Sequence, residues 1–204
     1  MRNYIKWLKH NWAHTGLVLS VYLTIFLVAF VRNNDNTLFL LLMTIPLYMI
    51  HQTEEYIFPG GFAKFFNMDI FRTGRADAPM ETEFIFYVNI IYIWILLPLF
   101  GILSSVNYTY GLWMSYFFFF AGAAHIVLAV KAKKKYNPGL VVSCLVNIPY
   151  GAYLVYYLHN IGLIANPWIN VHMLAGLALN LILPVMGVIM YKNYMKKDKA
   201  ESNI

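Results

Sequence analysis

Six apolar runs, each long enough to cross a lipid bilayer, occupy most of this sequence. A membrane-spanning helix needs about 20 mainly apolar residues, and only helices and closed barrels satisfy their backbone hydrogen bonds in hydrocarbon. Polar stretches, glycine and proline separate the runs. The runs cover residues 13–31, 37–58, 83–105, 109–130, 138–160 and 166–190. The predicted fold is therefore an all-α, polytopic membrane bundle of six transmembrane helices.

Composition supports the same class of protein. Only 12% of the residues are charged and 60% are apolar, whereas a soluble domain carries about 25% charged residues. Such a chain has too few polar side chains to cover a globule, so we do not expect a soluble enzyme, a disordered chain or a nucleic-acid-binding module. The net charge of +6 suits anionic lipid headgroups, and the expected partner is the lipid bilayer.

The distribution of Lys and Arg predicts how the helices are oriented. Segments rich in these residues alternate with segments poor in them, and 14 of the 15 fall on one side of the membrane if both termini lie on that side. Because positively charged loops stay in the cytoplasm during insertion, that side is the cytoplasmic one. The sequence thus predicts a multi-pass protein of the cell membrane with both termini cytoplasmic.

Three segments flank or interrupt the predicted transmembrane domain, residues 13–190. Residues 1–12 mix aromatic and basic side chains, which predicts either an amphipathic helix at the interface or a positive anchor for the first helix. Residues 59–82 alternate Phe, Met and Ile with charges, and we interpret them as a long cytoplasmic loop that dips into the headgroups and serves as a lid. Residues 191–204 are predicted to be a basic cytoplasmic tail.

The second run carries ionisable residues where a membrane helix rarely tolerates them. His51, Glu54 and Glu55 lie near its end, and each charged group deep in a span costs about 2.5–3.5 kcal/mol on insertion scales. Because residues i, i+3 and i+4 lie near one another on a helix, we expect the imidazole and both carboxylates to project together. That set can bind a divalent metal, a proton or a cation.

Other polar residues are predicted to lie in or near the same layer of the membrane. At about 1.5 Å per residue, His51 lies ~21 Å and His125 ~24 Å from the outer ends of their helices, in a core about 30 Å thick. Asn89 falls ~9 Å from the cytoplasmic edge, and Asn147 ~15 Å deep. His125 is therefore the predicted partner of the second helix, with Asn89 and Asn147 close to that layer.

Two imidazoles and a carboxylate with an open coordination position describe a catalytic zinc site or a 2-His-1-carboxylate iron site. We predict His51, Glu55 and His125 as ligands of a divalent metal, zinc first and iron as the alternative. Glu54 is then the general base, although the two glutamates can exchange roles. Asn89 and Asn147 are candidates to polarise a substrate carbonyl, with amide hydrogen bonding between helices as the competing interpretation.

The motif and its neighbours resemble those of a known group of integral membrane proteins, the HXXEE family. The resemblance covers roughly residues 40–190 and rests on His51-Gln52-Thr53-Glu54-Glu55-Tyr56, Pro59-Gly60-Gly61-Phe62, His125 and Tyr136-Asn137-Pro138-Gly139. It supports the choice of residues and implies no particular reaction. By itself, Asn137-Pro138-Gly139 is interpreted as a helix start, with Asn137 as the cap.

These residues predict an intramembrane metal-dependent enzyme, specifically a hydrolase acting near the cytoplasmic interface. Its substrate is expected to be lipid-soluble or amphiphilic, because such a molecule reaches that depth through the bilayer. Two alternatives use the same residues: a transporter in which they relay protons or cations, and a protein in which they form a structural polar network.

The charge asymmetry yields a test of topology. Reporter fusions at Asn34, Asn107 and Ile161 are expected to report an external location, and fusions at Arg75 and Lys134 a cytoplasmic one, because the basic segments are retained inside. Paired alkaline phosphatase and green fluorescent protein fusions measure both outcomes. A cytoplasmic signal at Asn107 contradicts the six-span arrangement.

Overall fold

The computed structural model describes residues 2–201, which form helices and connecting turns with no β-strand in that range. The absence of strands follows from the long uninterrupted apolar runs, which suit helices in hydrocarbon. In chain order the helices are α1 (Arg2–Phe26), α2 (Asn36–Tyr56), α3 (Phe62–Phe65), α4 (Thr82–Asn89), α5 (Leu97–Leu103), α6 (Leu112–Ala132), α7 (Leu140–Val142), α8 (Ile148–Asn160) and α9 (Val171–Glu201).

Stretches of π-helix extend or join several of these helices. Leu27–Val31 extends α1, and Phe66–Ile70 extends α3. Ile90–Leu96 joins α4 to α5, and Ser143–Asn147 joins α7 to α8, so that each pair forms one long helix. We refer to these long helices as α4–α5 and α7–α8.

Within the described residues, five helices are long and apolar enough to cross a membrane, which indicates a multi-pass membrane protein. They comprise Asn3–Val31, Thr82–Leu103, Tyr108–Ala132, Leu140–Asn160 and Val171–Lys197. α2 has 21 residues but is not among these five helices, and its last turns contain His51, Gln52, Glu54 and Glu55. The sixth span and the orientation of the termini stay predictions.

α2 is the central helix of the bundle. It packs against α1, α5 and α6 and against both parts of α7–α8. More than half of its residues are buried, whereas fewer than a fifth of the residues in the apolar stretches of α1 and α9 are buried. Helices on every side therefore shield the polar end of α2, which a lipid-facing helix could not carry at the same cost.

The hydrophobic core lies where α2, α6 and the α4–α5 helix meet. Met49, Ile93, Met114 and Phe118 are at most 3% exposed there. α9 approaches α6 closely at Gly176, where an added Cβ would lie 2.6 Å from the backbone nitrogen of Phe117. Small residues at such crossings are what close packing of membrane helices requires.

Helices run through the predicted boundaries at residues 12 and 190, which stay predictions. α1 begins at Arg2 and passes residue 12 without a break, since residues 2–15 include no Gly or Pro to end a helix. Trp12 is buried, with its ring 4.9 Å from that of Tyr56. At the other end, α9 continues to Glu201, so the predicted tail extends the last helix; residues 202–204 of that tail lie outside the described chain.

The loop predicted over residues 59–82 contains a short helix followed by an irregular segment. Asn67 is fully buried and holds the segment together. Its amide donates to the carbonyls of Ala76 and Met80, and its side-chain oxygen accepts from the Met80 N–H. This arrangement places Phe62 and Phe66 beside the polar end of α2, where both line a cavity.

Candidate metal centre

Three predicted ligands converge between α2 and α6. Oε1 of Glu55 lies 3.7 Å from Nε2 of His51 and 3.4 Å from Nε2 of His125. The two imidazole rings are 4.8 Å apart and nearly perpendicular. His51 is fully buried, and Glu55 and His125 are each 5% exposed. The helical spacing of His51 and Glu55 brings those two together, and the packing of α6 on α2 supplies His125.

The spacing of these atoms suits a small divalent cation. Ligand atoms of a tetrahedral ion with bonds of about 2.0–2.2 Å lie ~3.3–3.6 Å apart, close to the two separations to Glu55. One ligand atom from each residue can be chosen so that all three lie within 4.8 Å of one another. These residues could therefore hold a metal ion, whose identity the geometry leaves open.

His51 has an unusual environment for a buried histidine. Neither of its ring nitrogens has a hydrogen-bond partner among residues 2–201, although nearly all buried polar groups in proteins are paired. An unpaired buried group costs about 1–3 kcal/mol. Coordination of a cation by Nε2 would offset that cost.

Asn137 orients the imidazole of His125. Its Nδ2 donates to the backbone carbonyl of His125, and its Oδ1 lies 2.8 Å from Nδ1 of the ring. Because the carbonyl only accepts, the amide orientation is determined, and Nδ1 must carry the proton that Oδ1 accepts. In the neutral imidazole, Nε2 is then the unprotonated nitrogen, and it lies on the side of the ring that faces Glu55. This is the tautomer that a metal-binding histidine needs.

The Asn-Pro-Gly sequence has a different role from the predicted helix cap. Asn137 is fully buried against α6, and Gly139 has a φ of 99° and takes the N-cap position. A Cβ on Gly139 would collide with three atoms of the His125 ring. The segment thus packs closely on His125. The family resemblance pointed to Tyr136-Asn137-Pro138-Gly139 as part of the pattern, whereas the interpretation of Asn137 as a helix cap did not predict a contact with His125.

Glu54 does not face the centre, so the expectation that its carboxylate projects together with His51 and Glu55 is wrong. Its carboxylate accepts hydrogen bonds from the backbone N–H groups of Val141 (3.1 Å) and Val142 (2.7 Å) and from the Tyr136 hydroxyl (3.0 Å). Successive helical residues point about 100° apart, so Glu54 and Glu55 serve different neighbours. Burial and the Glu54 carboxylate raise the pKa of Tyr136 to about 12.

Glu54 caps the N-terminus of the α7–α8 helix, although it belongs to α2. Val141 and Val142 are its second and third residues, whose N–H groups have no partner within the helix. A side chain at the N-cap normally accepts these bonds, but Gly139 has none. A carboxylate is also favoured there by the helix dipole.

The two predicted asparagines do not join the three ligands. The side-chain oxygen of Asn89 accepts a hydrogen bond from Nε2 of Gln52 at 2.7 Å, and its amide nitrogen donates to the Tyr56 hydroxyl and to the carbonyl of Ile85. These contacts fit the competing interpretation of amide hydrogen bonding between helices. Asn147 is fully buried against Gly122 of α6, and its amide has no partner. Gln52, the partner of Asn89, was not among the predicted residues.

A cavity of about 390 Å³ reaches the centre. Its polar lining includes Glu55 and His125 of the centre together with Asn89 and Tyr56, and most of the remaining wall is apolar and comes from α4, α6 and α9. Such a volume is typical of small-molecule binding sites. The centre is thus accessible from a mainly hydrophobic space, which Phe62 and Phe66 of the 59–82 loop also line.

Comparison with known proteins agrees with the motif. No curated protein and no solved structure shows significant similarity to the chain. A family model described as "Protein of unknown function with HXXEE motif" matches residues 42–154, more than half of the chain. The matched region contains His51, Glu54, Glu55, His125 and Asn137. The chain therefore belongs to the HXXEE family.

Proposed function

We propose that His51, Glu55 and His125 bind a divalent metal ion and that the protein is an intramembrane metal-dependent hydrolase. The environment of His51 is the main support for this proposal. Its imidazole is fully buried, and neither ring nitrogen has a partner among the described residues. Nε2 of His51 lies 3.7 Å from the Glu55 carboxylate, which also approaches Nε2 of His125. Two histidines and one carboxylate form the ligand set of catalytic zinc sites and of non-haem iron sites. Zinc is the first candidate and iron the second.

The energetic balance favours a bound cation over a purely structural network. Hydrogen bonds between membrane helices contribute about 0.6 kcal/mol on average, whereas a charged carboxylate within a span costs about 2.5–3.5 kcal/mol. Glu55 has only the two histidines within ion-pair distance among the described residues. A divalent cation would supply the compensation that these contacts lack.

Few residues of this chain would take part in the proposed hydrolysis. A bound divalent cation acts as a Lewis acid and lowers the pKa of a coordinated water to about 7. Oε1 of Glu55 faces both imidazoles, which leaves Oε2 to accept a proton from the attacking water. Asn89 and Asn147 keep structural roles in this proposal.

The location of the centre suggests the type of substrate. With six spans and both termini in the cytoplasm of a cell-membrane protein, the polar end of α2 lies near the cytoplasmic interface. A lipid-soluble or amphiphilic molecule with an ester or amide bond near its headgroup can reach this depth through the bilayer. The proposed reaction is hydrolysis of that bond.

Glu54 and Asn137 are proposed as positioning residues. The segment between α6 and α7–α8 is attached to α2 through Glu54 and to His125 through Asn137. Residues that orient a ligand without touching the metal commonly change affinity by 10–100-fold when mutated. The HXXEE motif thus has two functions, since His51 and Glu55 supply ligands and Glu54 holds the segment that orients the third.

Metal content is the first test. Purified wild-type protein is expected to contain about one zinc or iron ion per chain, as measured by inductively coupled plasma mass spectrometry. The variants His51→Ala, His125→Ala and Glu55→Gln are expected to lose this ion, because each removes one ligand. His14→Ala is the matched control, since His14 is exposed on α1. If wild type and His51→Ala bind equally little metal after reconstitution, the relay and structural alternatives replace this proposal.

The positioning residues can be tested without activity. Glu54→Gln is expected to lower metal affinity about 10-fold or more. It is also expected to lower the free energy of unfolding by about 1–3 kcal/mol, because an amide nitrogen cannot accept from the valine N–H groups. Competition with a chelating dye and thermal unfolding in detergent measure these effects, and Asn137→Ala should behave similarly. Thr53→Val is the control, since the Thr53 hydroxyl donates within its own helix; unchanged affinity in Glu54→Gln rules out the positioning role.

Turnover tests the reaction class. Wild-type protein in mixed micelles is expected to hydrolyse p-nitrophenyl palmitate, with release of nitrophenolate as the readout. Glu55→Gln should slow this release by at least about 100-fold, because it removes both a ligand and the proton acceptor. Glu81→Gln, an exposed control at the start of α4, should retain the wild-type rate. Equal rates in wild type and Glu55→Gln contradict a catalytic role for this carboxylate.

A further inference from the structure

The cavity beside the metal centre has one polar end and a long apolar wall. Glu55 and His125 lie at the polar end, and Val88 of α4, Ala123 of α6 and Leu177 of α9 belong to the apolar part. Asn180 also lines the cavity, but its amide nitrogen donates to the carbonyls of Phe117 and Gly176. Away from the centre, the wall therefore offers few free polar groups to a ligand.

The apolar part of the cavity reaches the outer surface of the helices. Val127 on α6 is 64% exposed and Leu181 on α9 is 53% exposed, and both line the cavity. Both belong to membrane-crossing candidates, whose exposed apolar side chains face hydrocarbon. A molecule dissolved in the bilayer can therefore enter the cavity sideways, without passing through water.

We propose that this cavity binds one linear hydrocarbon chain, which enters from the bilayer past the exposed side chains of Val127 and Leu181 and places its polar end at Glu55 and His125. The assignment of the chain as part of a substrate rests on the proposed hydrolase function, whereas chain binding itself does not require a metal. A fatty acyl or similar chain buries its methylene groups against the apolar wall, which is favourable in proportion to the area removed from solvent.

The size of the cavity favours a single chain. Its volume of about 390 Å³ lies near the lower limit of the range for ligand pockets, about 300–1,000 Å³. α6 contributes Ala121, Ala123 and Ala124 to the wall, and these small side chains leave the space that larger ones would fill. A two-chain lipid would have to keep one chain in the bilayer.

Photolabelling tests the proposal directly. The probe is palmitic acid with a diazirine near the end of its chain, added to the protein in nanodiscs and activated by light. Wild-type protein is expected to be labelled on the wall segments of α4 and α9, identified by mass spectrometry of peptides, and unlabelled palmitic acid should compete. Ala123→Phe and Leu177→Trp should each reduce labelling about 10-fold, the change expected when roughly two methylene groups lose their contacts.

Matched controls separate the cavity from the outer surface. Val130→Phe on α6 and Leu174→Trp on α9 place the same side chains on the same helices at exposed positions that do not line the cavity, and both should be labelled like wild type. Two wall variants on different helices guard against a folding defect in one of them, which size-exclusion chromatography detects.

Labelling of the cavity wall is expected not to depend on a bound metal. His51→Ala is expected to retain labelling of the wall segments, because His51 does not line the cavity. Retained labelling in a metal-free protein supports the chain-binding site even if the hydrolase proposal fails. Equal labelling of wild type and both wall variants, or labelling confined to the outer lipid-facing surface, overturns the chain-binding site even if a metal is found.

Discussion

The arrangement of the polar residues depends on the burial of Glu55 inside a bundle of apolar helices. Its carboxylate is 5% exposed and lies within 4 Å of two imidazole nitrogens. A charged group in that position requires compensation from its surroundings, because hydrocarbon supplies none. Helix α2 is therefore surrounded by other helices, and the polar end of the bundle is organised around its last two turns.

A short segment of the chain holds two of the residues next to Glu55 in place. Residues 136–142 run from the connection after α6 into the first turn of the α7–α8 helix. Glu54 accepts hydrogen bonds from the free N–H groups of that turn, and Asn137 holds the His125 ring. Each bond satisfies a polar group that would otherwise be buried without a partner. The same bonds give His125 one tautomer and one ring orientation. The two adjacent glutamates of the motif thus contact different parts of one cluster: Glu55 faces the two imidazoles, and Glu54 binds the segment that contacts His125.

Sequence periodicity and charge predicted much of the architecture. Long apolar runs indicated helices, and the described chain is helical with five membrane-crossing candidates. The boundaries at residues 12 and 190 stay predictions, and helices are continuous through both, because a change from apolar to basic side chains does not end a helix when both are good helix formers. α1 and α9 therefore extend beyond the apolar runs. The interior position of α2 followed from packing, which composition alone does not describe.

The sequence by itself determined which residues are unusual: ionisable groups within apolar runs at helical spacing, together with the motif of the HXXEE family. It also predicted that His51 and Glu55 share a helix face, because that depends only on helical geometry. Only the tertiary structure decided which partners these groups meet. The α7–α8 helix begins beside Glu54, and Asn137 lies against His125, as a result of how distant helices pack. Hydrogen bonds between residues more than 80 positions apart depend on that packing, which no local pattern specifies.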